Sequence, residues 1–163
     1  MKRAALLACV LGGCHSNHTA TKRWPFDPIA FFTGHTHGEA ALRMITGARH
    51  RVSIDSYGVG DGHGGLRLDQ AIREEGKAPR ARLWILHPSG PNRWSGTLTD
   101  AKGPVEVERM PSDVVITYRM KNGANVEQHL QLPPGGIAQN HMEVTRLGLK
   151  LATLDERIRK LGT

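Results

Sequence analysis

From Glu39 onward the chain repeatedly places apolar side chains at every second position, a period that describes half-buried β-strands. In EAALRMI, Ala40, Leu42 and Met44 face one way while Glu39 and Arg43 face the other. The period recurs in HRVSIDS (Val52, Ile54), LRLDQAI (Leu66, Leu68, Ile72), PVEVER (Val105, Val107) and VITYRM (Ile116, Tyr118, Met120). NVEQHLQL (Val126, Leu130, Leu132) and IAQNHMEV (Ala138, Met142, Val144) repeat it, and RARLWILH and RWSGTL bring the series to nine short strands. Turn chemistry separates them at GARH, GDGHGG, GKAP, HPSGPN, DAKGP, KNG and PPGG.

Sequential strands with one apolar face, joined by tight turns, describe an antiparallel meander. A meander of this length removes its edges by closing on itself. The pattern therefore predicts an all-β fold: a single up-and-down β-barrel of about 8–10 strands, with a two-sheet sandwich as the alternative. The 163 residues suffice for one such domain and no second. Upstream, WPFDPIAFF at 24–32 holds every phenylalanine of the chain, and its two prolines limit it to a short helical turn whose aromatics plug or pack on something. At the other end, LGLKLATLDERIRKL is ambiguous: Leu147, Leu151, Leu154, Ile158 and Leu161 share a helical face, while Ala152, Leu154 and Ile158 suit a strand. Helix propensity favours the first reading.

The N-terminus reads as an address. Lys2 and Arg3 precede an apolar run from Ala4 to Leu11, too short to span a bilayer, and Leu11-Gly12-Gly13-Cys14 resembles the processing site of bacterial lipoproteins. On that reading 1–13 is a signal peptide, Cys14 is acylated and becomes the first residue, 14–23 is a polar tether, and 24–163 is the folded domain. The alternative is a secreted chain with an incidental cysteine, or an uncut anchor. Loss of Cys9 with the signal leaves no free thiol. Loss of Lys2 and Arg3 leaves 20 basic against 15 acidic residues, a formal charge of +5. An export signal argues against nucleic acid as the partner of that charge and favours a surface facing anionic lipids.

Chemical motifs are sparse. GDGHGG matches a dinucleotide fingerprint in letters only, because an alternating strand follows where a helix N-terminus is needed; it reads as a hairpin turn. His35 and His37, with Glu39, His50 and His63, lack the three or four convergent ligands of a metal site and read as surface residues. His87 and Ser89 lack a nucleophile elbow. No catalytic motif, metal or cofactor is thus indicated. The alternation does place polar residues on the apolar face: Ser56, Gln70, Gln128 and Asn140, with Arg82 beside Trp84. They line a cavity, or else bond one another or sit near the barrel rims.

Five segments spread along the mature chain, FDPIAFFTGHTHGEAAL, RARLWIL, NRWSGTLTDAKGPVEVE, ITYRMKNGANVEQHLQL and NHMEVTRLGLKLATLDERIRK, resemble the bacterial lipoproteins grouped as domain of unknown function 3833. The resemblance implies a lipocalin-like (calycin-like) barrel, an outer-membrane location facing the periplasm, and a strand for the C-terminal segment. It brings no catalytic residues. The expectation is an envelope lipoprotein, lipid-anchored to the membrane, whose barrel binds a small hydrophobic or lipid-like molecule. Arg82 would meet an acidic head group, Trp84 and Tyr118 its apolar part, and Gln70, Gln128 and Asn140 would orient it. A side-chain-filled barrel with a structural or interaction role is the alternative.

Overall fold

The computed structural model describes residues 26–162; the signal-peptide and tether readings and Cys14 lie outside them. A short helix α1 (Pro28–Phe32) leads into ten strands: β1 (Gly34–Met44), β2 (Arg49–Gly60), β3 (Leu66–Glu74), β4 (Arg80–Gly90) and β5 (Arg93–Leu98), followed by β6 (Val105–Arg109), β7 (Val114–Arg119), β8 (Asn125–Gln131), β9 (Ile137–Arg146) and β10 (Leu149–Gly162). Each strand pairs antiparallel with its sequence neighbours, and β10 returns to β1, closing the barrel. The ambiguous C-terminal segment is this closing strand. Its helical alternative loses because β1 and β9 would otherwise each expose an unpaired edge.

Alternation sets what the barrel encloses. Val52, Ile54, Leu68, Ile72, Val107, Ile116, Val126, Leu130, Ala138, Leu154 and Ile158 are all buried. Fully burying a valine, leucine or isoleucine stabilises the fold by about 1.5–3 kcal/mol relative to leaving it in water, so a one-residue register slip would be very costly. GDGHGG is the β2–β3 hairpin loop: Asp61 accepts hydrogen bonds from the backbone of His63 and Gly65, both at 2.8 Å, and Gly62 and Gly64 take positive φ.

The aromatic segment covers one end. Asp27 caps α1 by accepting from the amides of Ile29 (2.9 Å) and Ala30 (3.1 Å), and Pro28 fits the first turn because its missing N–H has no partner there. Phe26 and Phe31 pack in the core with Leu66 and Leu86. The helix sits tight against β2 because Gly58 lacks the side chain that would collide with the Phe32 carbonyl. Chain direction puts the β2–β3, β4–β5, β6–β7 and β8–β9 loops at this covered end. The other five hairpin loops surround the opposite mouth.

Candidate functional site

The barrel interior is not filled. A cavity of about 400 Å³ runs from Ile29 and Phe32 of α1 to Met44, Lys77 and Asn122 at the opposite mouth. Its wall is mostly aliphatic, from strands on every side. Arg82, Trp84, Tyr118, Gln70, Gln128 and Asn140 all line it, as does Ser56.

The polar residues fall into two groups. On the β2–β4 side, Ser56, Gln70 and Arg82 are cross-strand neighbours. Gln70 donates to Ser56 Oγ at 3.1 Å and accepts from the Trp84 indole at 2.7 Å. That bond holds the indole plane, against which the Tyr118 ring packs edge to face with centroids 5.9 Å apart. Burial pushes the Tyr118 phenol above its ordinary range, and the nearby Arg82 guanidinium works against the rise. The phenol stays neutral at physiological pH.

On the β8–β10 side, Asn140 donates to Gln128 Oε1 at 3.1 Å and to Glu156 Oε2 at 3.0 Å. Its own Oδ1 is buried with no hydrogen-bond partner among the described residues. The sequence expectation does not include Glu156, yet it is a buried carboxyl in the wall, directly across the β9–β10 ladder from Asn140. The signal was available: the set Ala152, Leu154 and Ile158 includes position 156 once the period of two is followed through. Burial holds the Glu156 carboxyl above its usual range, and the Asn140 bond only partly offsets this. Gly38 on β1 makes room for it, because a methyl group there would overlap the carboxyl oxygen.

Arg82 stands one layer inside the open mouth. Its Nε donates to Asp100 Oδ2 at 2.9 Å, and Arg80 reaches the same oxygen at 2.7 Å. Two guanidiniums thus share one carboxylate, and the group retains net positive charge. The polar wall residues therefore both bond one another and face the cavity.

The outer surface carries different chemistry. His35 and His37 flank the inward Thr36, and His37 bonds Asp55 and Glu39, each at 2.8 Å. His129 bonds Asp113 (2.7 Å) and Glu127 (2.9 Å) in the same way. These carboxylates raise both imidazoles above their ordinary range, Asp55 first for His37 and Asp113 first for His129. Among the described residues no three His, Cys, Asp or Glu side chains converge with metal-binding geometry.

Among solved structures, the S-type phycobiliprotein lyase CPES from Guillardia theta superposes with a TM-score of 0.64, covering 83% of this chain and 91% of that one at 10% identity. The barrel is lipocalin-like. No family model matches the chain, and no curated protein matches it. At that identity the likeness describes the lipocalin-like scaffold alone.

Proposed function

We propose that the protein binds a small, largely apolar molecule with one acidic or polar end inside its lipocalin-like barrel. The observation that carries this reading is the cavity: about 400 Å³ of apolar-walled space, within the range of small-molecule sites, with a few convergent polar groups. A filled barrel would have favoured the structural alternative. Arg80 and Arg82, with their shared excess of positive charge, lie towards the mouth and suit an acidic head group. Trp84 and Tyr118 flank the apolar body next to it, and Ile29, Phe32, Leu66 and Leu86 form the far end. Gln70, Gln128 and Asn140 set orientation, and the free Asn140 Oδ1 accepts a hydrogen bond from a ligand donor. Native mass spectrometry of the full chain, purified without denaturation, tests this: a bound apolar molecule is expected, and Arg82→Ala with Trp84→Ala should release it. A chain that neither carries nor takes up fatty acids of any length defeats the proposal.

The Cys14 pattern and the resemblance to the envelope lipoproteins add a location to this reading. The barrel would hang from an acylated Cys14 on the outer membrane, facing the periplasm. Cys14→Ser should move it from the membrane to the soluble fraction.

One observation favours a second reading, catalysis. A carboxyl that burial shifts towards its protonated form beside a cavity, as it does Glu156, has the character of a general acid. Incubation of candidate ligands with the protein separates the two: a binder returns them unchanged, whereas an enzyme alters them and Glu156→Gln abolishes the change.

A further inference from the structure

Two hairpin tips at the open mouth carry apolar side chains that stand largely in solvent among the described residues. The β1–β2 tip presents Ile45 at 67% exposure, and the β9–β10 tip presents Leu147 at 93% and Leu149 at 65%. The tips are held side by side, since Ile45 N donates to Leu151 O at 2.8 Å. Leu147 also has φ of 49°, in the left-handed region that glycine or asparagine occupies at lower cost. A branched residue that is both strained and almost fully exposed gains little from contacts with the described residues, which points to a surface outside the barrel.

The surroundings say what kind of surface that is. Neither tip contains an acidic residue, and each is flanked by a cation, Arg49 and Arg146, that forms no ion pair with any described residue. The nearest other cations are different: Arg43 pairs with Asp155 and Lys150 with Glu143. Apolar tips ringed by free guanidiniums match the layered chemistry of a bilayer surface, anionic head groups above acyl chains. A second copy of the chain docked symmetrically on this patch would bring two positively charged patches together, like charge against like. The patch also adjoins the mouth, because Met44 and Leu151 line the cavity itself.

We propose that the open rim docks on an anionic lipid bilayer, with Ile45, Leu147 and Leu149 entering the acyl region and Arg49 and Arg146 meeting lipid phosphates. This surface is independent of any anchor at Cys14, and it would let an apolar ligand pass between bilayer and cavity without crossing water.

The test uses the full-length chain carrying Cys14→Ser, so that no acyl chain contributes, and vesicle co-sedimentation. Binding is expected to vesicles containing about 30% phosphatidylglycerol, falling with added salt, and to be much weaker on phosphatidylcholine alone. Ile45→Ser with Leu147→Asn should reduce binding by about tenfold or more, while the thermal transition shows the fold intact. Arg49→Gln with Arg146→Gln should remove the salt dependence, and Val59→Ser, an exposed residue at the covered end, should change nothing. Unchanged vesicle binding in the tip variants overturns the proposal. So does equal loss in Val59→Ser, or light scattering that shows a dimer dissolved by the tip substitutions.

Discussion

Asn140 donates an amide hydrogen to Oε2 of Glu156 at 3.0 Å across the β9–β10 ladder, inside the barrel. The bond needs only an acceptor, which glutamine also provides. Burial raises the Glu156 pKa above its ordinary value near 4.5, so the folded state holds this proton at pH values where the unfolded chain has lost it. That stabilising contribution is full below about pH 4.5 and declines as pH rises towards the folded pKa. Glu156→Gln does not titrate. Its melting temperature relative to the parent should therefore climb as pH rises above 4.5, and a pH-independent difference would show that the carboxyl is ionised in the fold.

The outer histidine has its own window. The folded pKa of His37 lies above 6.5, so its bonds to Asp55 and Glu39 contribute fully below that pH and are lost as pH rises through the folded value. Asp55 is held below its ordinary 3.8, so its share is lost only as pH falls through its lowered folded value. His37→Asn should thus cost about 0.5 kcal/mol at pH 5–6 and little at pH 9, measured by urea unfolding.

Gly38 and Glu156 should be coupled. Gly38→Ala forces a methyl group into the carboxyl, at a cost of about 1–3 kcal/mol. Adding Glu156→Ser should recover most of that loss in a double-mutant cycle, and additive losses would show that the backbone of β1 is the obstacle instead.

Asp100 limits how much of the Arg80 and Arg82 charge reaches the cavity. Asp100→Asn should tighten the binding of a fatty acid relative to the alcohol of the same length, by about 1 kcal/mol or a little over fivefold, as read by displacement titration. Equal changes for acid and alcohol would place the head group elsewhere.

Leu147→Asn should raise stability, since asparagine tolerates φ near 49° and no packing is lost; a gain of about 1 kcal/mol is expected in thermal unfolding.

The period of two carried most of the fold, because burying one face of every strand demands it. It carried the cavity wall equally well: Gln70, Gln128 and Asn140 stand out as polar letters in apolar register. Glu156 escaped because a carboxylate is ordinarily taken to face water, and here the neighbouring Asn140 and the space over Gly38 accommodate it. Cavity volume is beyond any alternation pattern, which tells which side chains point inward but not how far apart the walls stand. The helical and strand readings of the last segment are close because Leu147, Leu151, Leu154, Ile158 and Leu161 satisfy the helical period while Ala152, Leu154 and Ile158 satisfy the period of two; pairing with β1, remote in sequence, decides between them.

That remote pairing governs how the molecule comes together. The seam matches Met44 with Ala152 and Thr36 with Lys160, contacts separated by most of the domain. Loop closure over such a span must precede any gain from the contacts it brings, so folding should be slow, on the order of milliseconds to seconds. During synthesis the first strand must wait for the last, its β10-facing edge unpaired until β10 has emerged. A chain interrupted before Leu149 would expose two sticky edges at once, which makes the seam the place where this barrel is most vulnerable to aggregation before it is complete.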